Sequence, residues 1–281
     1  MYRFDKISPL RVKLNAYRSD NKRIALVPTM GNLHSGHLSL IDSARKHADK
    51  VVVSIFVNPT QFERADDLAA YPRTLRADLD ALEENAVDVV FCPEVKEIYP
   101  AGKLVTEVDV PAISKLLEGA SRPGHFRGVA TVVCKLLNIV GPDVAVFGEK
   151  DFQQLMLIRQ MVADLNMPVQ ITGVATMREP DGLAMSSRNN RLNREQRLLA
   201  PEFSRVLREL VSAIKSGEGD YAALQQQSCD ALSALGFKPD YVKVCDAMSL
   251  QLADNNTRQL VVLGAAYTGE IRLIDNIAFS R

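Results

Sequence analysis

The 281-residue chain has no tryptophan, and aromatic side chains make up only 6% of it. Proteins that hold single-stranded nucleic acid need aromatic platforms for the bases, so that class is disfavoured. Excess charge is missing as well: 34 Lys and Arg face 34 Asp and Glu. Broad recognition of nucleic acid or of an anionic membrane rests on a basic excess, and neither is expected as a partner. No apolar run approaches the roughly eighteen residues of a membrane span; the longest, residues 51–57, has the length of a strand. The opening residues carry charges throughout and have no apolar core, which argues against a secretory leader. Four cysteines, Cys92, Cys134, Cys229 and Cys245, lie far apart without a CxxC pair. They read as reduced, mostly buried thiols of a cytoplasmic protein. Internal repeats and low-complexity tracts are not seen either.

What is there is a regular alternation. Apolar runs at 24–27, 51–57, 87–91, 144–147 and 169–174 are separated by segments of helical period at 37–48, 71–85, 128–140 and 152–165. Strands apolar at every position, with helices between them, imply a parallel sheet covered on both faces. The expected architecture is an α/β, Rossmann-like doubly wound sheet over residues 1–178, with ligands at the C-terminal ends of its strands. The polar stretch at about 177–190, with Pro180-Asp181-Gly182 as its turn signal, reads as a hinge. Residues 179–281 are expected to form a smaller α+β domain. There Asn193 caps a helix over 194–215, a second helix covers 221–235, and strands at 241–245, 259–266 and 270–277 end in a hairpin.

Residues 28–37, Pro-Thr-Met-Gly-Asn-Leu-His-Ser-Gly-His, follow the first of these strands and lead into a helix. A glycine-containing loop at a helix N-terminus suits an anion, because unpaired N–H groups and the helix dipole both favour negative charge. Gly31 and Gly36 are not followed by the Lys and Ser/Thr of a Walker loop, and the dinucleotide glycine spacing is absent. The loop has His34 and His37 instead, in a stretch from 24 to 41 without Lys, Arg, Asp or Glu. Two imidazoles three residues apart at a helix start lie on one side and can both hydrogen-bond a phosphate. Gly36 removes a side chain that would block it. The alternatives are a local capping or packing role and a zinc site, for which no third ligand is evident; no metal is assigned to protein ligands.

The HxGH motif is similar to the signature of a nucleotidyltransferase superfamily that pairs it with a second phosphate loop, a description that Met185-Ser-Ser-Arg188 fits loosely. Further segments follow in order: FVNPTQF at 56–62, YPRT at 71–74, LEGASRPGHFRGV at 117–129, FGEKDFQQL at 147–155 and DGLAMSSRN at 181–189. With them, the chain resembles the pantoate–β-alanine ligase family, the pantothenate synthetases. LIDN at 273–276 is compatible. One departure is Thr60, where methionine is expected in many members.

The resemblance implies ATP-dependent condensation of (R)-pantoate with β-alanine to pantothenate, AMP and pyrophosphate, through a pantoyl adenylate. A carboxylate is a poor electrophile, because its charge repels a nucleophile and oxide is no leaving group; adenylation removes both obstacles. Each step moves charge onto phosphate oxygens, so preorganised donors are needed. In family terms His34 and His37 contact the phosphates, His37 as proton donor, and Met30 and Gly31 line the nucleotide. Gly148, Glu149, Asp151, Met177 and Met185 complete the nucleotide set, with Asp151 or its neighbouring backbone toward the ribose. Lys150 bridges phosphates as a compact cation, and Ser186, Ser187 and Arg188 grip the β- and γ-phosphates as the C-terminal domain closes over the site. Gln61 and Gln154 hold the acid as neutral donors, with Asn58 near enough to join them.

Mg²⁺ is expected with ATP, held largely by phosphate oxygens and water, and a homodimer is the expected assembly. Read without the family, Lys150 is a solvated cation and MSSR a solvated loop. Asp78, on a helix with Asp80, Glu83 and Glu84, reads as part of a solvated acidic face. Arg122, His125 and Arg127, in an acid-free stretch from 119 to 142, suit either a second anion-facing wall or a loop anchor. A simple nucleotidyltransferase and a non-catalytic nucleotide-binding module stay open as alternatives.

Overall fold

The structure, a computed structural model, describes residues 1–63, 65–102 and 104–281. The chain divides into two compact units. One comprises Met1–Lys115, Arg122–Glu149 and Gln154–Ala175; the other comprises Leu116–Ser121, Lys150–Gln153 and Thr176–Arg281.

The first unit holds β1 (Tyr2–Phe4), β2 (Ile24–Thr29), β3 (Lys50–Ile55), β4 (Val89–Phe91), β5 (Val144–Gly148) and β6 (Gln170–Val174). They form one sheet in the order β1-β4-β3-β2-β5-β6, every pair parallel. Ile24, Ala25, Leu26 and Val27 are all inaccessible, as a strand buried on both faces requires. On one face Leu40, Ile41 and Ala44 of helix Ser35–His47 and Leu82 of helix Leu75–Glu84 pack on Ala25, Val27, Val53 and Val90. Burying one such leucine contributes about 1.5–3 kcal/mol. Helix His125–Val140 packs against β2 and against helix Ile7–Ser19. Strand order runs outward from β2 through β3 and β4, and in the other direction from β5 to β6. The switch point therefore lies between β2 and β5, where the loops leaving the two strands diverge and open a crevice.

The N-terminal strand and helix are additions to the sequence reading. β1 is three residues long, too short for alternation to register. Helix Ile7–Ser19 buries only Leu10, Leu14 and Tyr17 among exposed charges, a narrow stripe at i, i+4 and i+7.

In the second unit, β7 (Lys238–Asp246), β8 (Gln259–Thr268) and β9 (Ile271–Ser280) form an antiparallel sheet. β8 and β9 are joined by two residues, the first of which, Gly269, has φ 57°, where primed hairpin turns take glycine. Phe203, Leu207 and Ile214 of helix Pro201–Lys215 and Leu224 and Leu232 of helix Tyr221–Ala234 share a core with Val242, Val244, Leu260 and Val262. Asn193 does cap, in a reciprocal box with Gln196. The single helix read over 194–215 is two, Arg194–Leu199 and Pro201–Lys215, because Pro201 has no N–H to continue the ladder. Arg272 ties the short helix Leu117–Ser121 to this unit: its guanidinium reaches Glu118 at 2.6 Å and Asp240 at 2.6 Å. Burial disfavours its charge, but Glu118 and Asp240 hold the guanidinium above its ordinary range. Among the described residues, no helix is long and apolar enough to cross a membrane.

Candidate active site

In the first unit the loop after β2 is fixed almost entirely by its own neighbours. Thr29 Oγ1 donates to the Ser54 carbonyl at 2.8 Å and accepts the Gly31 N–H at 3.2 Å. Gly31 has φ 79°, and a Cβ there would stand 2.9 Å from Asp78 Oδ2. Both facts demand glycine. The Asp78 carboxylate, 3% exposed, accepts the N–H of Asn32 at 3.0 Å, the N–H of Leu33 at 2.8 Å and the Thr74 hydroxyl at 3.1 Å. Asp78 is thus no member of a solvated acidic face. The helix begins at Leu75, after Pro72 and Thr74, and Asp78 shares its inner face with Leu82, four residues on. That spacing was the signal in the sequence.

His34 is the N-cap of helix Ser35–His47: its Nδ1 accepts the Gly36 N–H at 3.2 Å, while His37 Nδ1 accepts the His34 N–H at 3.3 Å. The rings stand 4.2 Å apart, centroid to centroid. With each Nδ1 an acceptor, the neutral tautomer carries its proton on Nε2 in both rings. The N–H groups of residues 31 to 34 all have protein acceptors, and the dipole at the helix start favours an anion. Met30, half-buried, precedes this turn, and Gly148 and Glu149, also half-buried, leave β5 on the far side of the switch point.

The second constellation of this unit surrounds the 3₁₀ turn Pro59–Gln61. Asn58, 1% exposed, donates from Nδ2 to Gln61 Oε1 at 3.1 Å and to the Gly128 carbonyl at 3.3 Å. Its Oδ1 accepts the hydroxyls of Tyr99 at 2.8 Å and Thr60 at 3.0 Å. The carboxamide of Asn58 is therefore saturated inside the protein, and it holds the Gln61 carboxamide with Oε1 inward. Among the described residues the other end, Gln61 Nε2, has no acceptor and is left as a donor. Thr60, in place of the expected methionine, gives Asn58 a hydroxyl that a thioether could not. Of Arg122, His125 and Arg127, the first two act as anchors: His125 Nδ1 lies 2.8 Å from the Gln61 carbonyl and Arg122 donates to it at 3.5 Å. Arg127 pairs with Glu107 at 3.1 Å. Gly128, missed in the sequence, lets helix His125–Val140 meet the turn, since a Cβ there would lie 2.4 Å from the Thr60 carbonyl oxygen. Gln154, half-buried, makes no side-chain hydrogen bond among the described residues.

The second unit contains Lys150, Asp151, Met177 and residues 185–188. Lys150 is half-buried and Asp151 exposed; the Lys150 carbonyl accepts from Asn276 Nδ2 at 2.8 Å. Gln153, 4% exposed, is a brace: Oε1 accepts the Glu118 N–H at 3.1 Å and Nε2 donates to the Leu116 carbonyl at 2.8 Å. Within the stretch read as a polar hinge, Arg178 is bridged to Ala184 and the Met185 N–H donates to the Met177 carbonyl at 2.9 Å, forming a short hairpin. Arg178 grips Asp275 with both terminal nitrogens, at 2.7 and 2.9 Å, and donates to the Gly182 carbonyl at 3.1 Å. Ser186 Oγ then accepts the Arg188 N–H at 3.3 Å and opens the 3₁₀ turn Ser187–Arg191. The LIDN segment therefore braces this unit, since Asp275 fixes the hairpin and Asn276 fixes the main chain of Lys150.

A family model described as Pantoate-beta-alanine ligase matches residues 3–278. The chain is 55% identical over 275 residues to the pantothenate synthetase of Aliivibrio fischeri, covering 98% of this chain and 94% of that one. To that of Azotobacter vinelandii it is 54% identical over 273 residues, covering 97% and 96%. The crystal structure of pantothenate synthetase from Thermus thermophilus is similar with a TM-score of 0.92 at 42% identity, with 99% of each chain covered. The Francisella tularensis pantoate-beta-alanine ligase, complexed with beta-gamma ATP and beta-alanine, gives 0.84 at 38% identity, covering 99% of this chain and 97% of that one.

Proposed function

The chain belongs to the pantoate–β-alanine ligase family and is a ligase, and on that premise we propose that it condenses (R)-pantoate with β-alanine through a pantoyl adenylate. The pantoate carboxylate attacks the α-phosphorus of ATP, forming the acyl–phosphate bond as the bond to pyrophosphate breaks. The β-alanine amine then attacks the acyl carbon, loses its proton, and AMP departs with the former carboxylate oxygen. The observation that carries the reading is the paired imidazoles. His34 and His37 each use Nδ1 as an acceptor of a backbone N–H, so the neutral rings carry their proton on Nε2, the atom that would donate to phosphate oxygens that gain charge in both steps. His37 is the proton donor of the pair.

Gln61 and Gln154 orient the acid without pinning its charge, and Asn58 acts through Gln61 by fixing which end of that amide faces outward. Lys150 neutralises phosphate charge, Ser186, Ser187 and Arg188 bind the β- and γ-phosphates, and Met30, Gly31, Gly148, Glu149, Asp151, Met177 and Met185 accommodate the rest of the nucleotide. The Francisella relative bound to beta-gamma ATP and beta-alanine supports both substrates. Mg²⁺ belongs to this reading as a companion of the triphosphate. That cation would be carried by phosphate oxygens and water. A cytoplasmic homodimer is the state in keeping with the family and with four free cysteines.

Positional isotope exchange in ATP tests the reading: exchange should depend on pantoate, need no β-alanine, and vanish in His37→Ala while ATP still binds. Exchange that ignores pantoate, or pyrophosphate release that requires a phosphorylated acceptor instead, would overturn it.

A further inference from the structure

We propose that Asp78 is a positioning residue for the nucleotide, setting the aim of His34 and His37 from inside the protein through the main chain of Asn32 and Leu33. This rests on the reading of residues 30–37 as the nucleotide loop. Gly31 and Asn32 take φ of 79° and 51° in succession, a left-handed pair that ordinary residues disfavour. Such a pair turns successive N–H groups to one side and makes an anion-binding concavity. Here that concavity is filled by a carboxylate of the protein itself, one oxygen for each N–H, at 3.0 and 2.8 Å. The loop therefore enters the His34 cap along a path that Asp78 dictates.

Thr74 supplies the second observation. It occupies the N-cap position of helix Leu75–Glu84, where a hydroxyl normally accepts a helix N–H, yet it makes no cap and donates to Asp78 Oδ2 at 3.1 Å. A helix cap is forgone so that a buried carboxylate, 3% exposed, has its third donor. The YPRT segment acquires a role by this route: it holds the group that holds the loop.

Asp78→Asn keeps the volume but turns an NH₂ toward one of two N–H donors, so only one can be accepted. ATP affinity, measured by equilibrium binding of a non-hydrolysable ATP analogue, should fall about tenfold or more, with pantoate affinity in the absence of nucleotide changing less than about twofold. Thr74→Val should raise the KM for ATP about threefold with kcat little changed, and Thr74→Ser should restore it. If Asp78→Asn does not fold, the Thr74 pair decides. An analogue affinity unchanged in Asp78→Asn, parallel losses of nucleotide and pantoate binding, or a Thr74→Val variant with wild-type KM each overturns the assignment. Failure of the wild-type protein to bind the analogue would sink the nucleotide-loop reading instead.

Discussion

The side-chain amide of Asn276 donates to the main-chain carbonyl of Lys150 at 2.8 Å. The bond spans 126 residues of chain and reaches the backbone, so it fixes where the lysine side chain starts without touching its charge. If Lys150 serves the phosphates, Asn276→Ala should slow pantoate-dependent pyrophosphate release about ten- to a hundredfold, since displacement of a positioned group by an ångström can cost that much. Amide formation from preformed pantoyl adenylate should be nearly unaffected. Rapid-quench measurement of the two half-reactions checks this, and equal slowing of both would refute it.

Gln153 and Gln154 are neighbours with opposite fates. Gln153→Ala removes the partners of the buried Glu118 N–H and the half-buried Leu116 carbonyl, and should destabilise the fold by about 1–3 kcal/mol. Its KM values should not move. Gln154→Ala should leave the urea midpoint alone and raise the KM for pantoate about tenfold, the size of one hydrogen bond to a charged group. A Gln154→Ala variant whose ATP affinity drops as much as its pantoate affinity contradicts the assignment.

Gly128→Ala places a methyl 2.4 Å from the Thr60 carbonyl oxygen, where backbone cannot yield cheaply. Overpacking of this kind costs about 1–3 kcal/mol. Chemical denaturation should show the loss. Pantoate affinity should fall with it, because the turn that moves carries Gln61. A fully active, wild-type-stable Gly128→Ala protein would mean that the helix and turn are not held as described.

Burial pushes the Cys92 and Cys245 thiols from 9.0 up to about 11. A raised acid stays neutral in the folded state while the unfolded chain ionises. Their contribution to stability is therefore complete below pH 9.0 and is lost as the pH climbs toward about 11. Between about pH 8 and about pH 10.5 the urea midpoint should fall further in the wild type than in Cys92→Ala/Cys245→Ala, which lacks these two ionisations. Identical alkaline losses in both proteins would exclude the thiols as the cause.

Much of the first unit was legible because apolar strands such as residues 24–27 show their burial on both faces as continuous apolar runs. What stayed hidden depends on contacts between distant residues. Asp78 looks solvated beside Asp80 and Glu84 until its partners at 32, 33 and 74 are known. Asn58 reads as a substrate donor until Tyr99, Thr60 and Gly128 consume its amide. Gly128 and Asn276 have no local signal at all, since the residues they approach lie far along the chain. Pro201, by contrast, was readable: a helix drawn across it ignored the missing N–H.

The carboxylate of Glu118 meets Arg272 154 residues later, and the helix that carries Glu118 belongs to the unit made mostly from the last third of the chain. During synthesis from the N-terminus, Glu118 emerges long before its cation exists. The first unit draws on nothing beyond Ala175, whereas the second needs residues as far along as Arg281. A shortened protein ending before β9 would expose not merely a missing strand but an acidic helix without its counterpart, a species that quality-control proteases should remove.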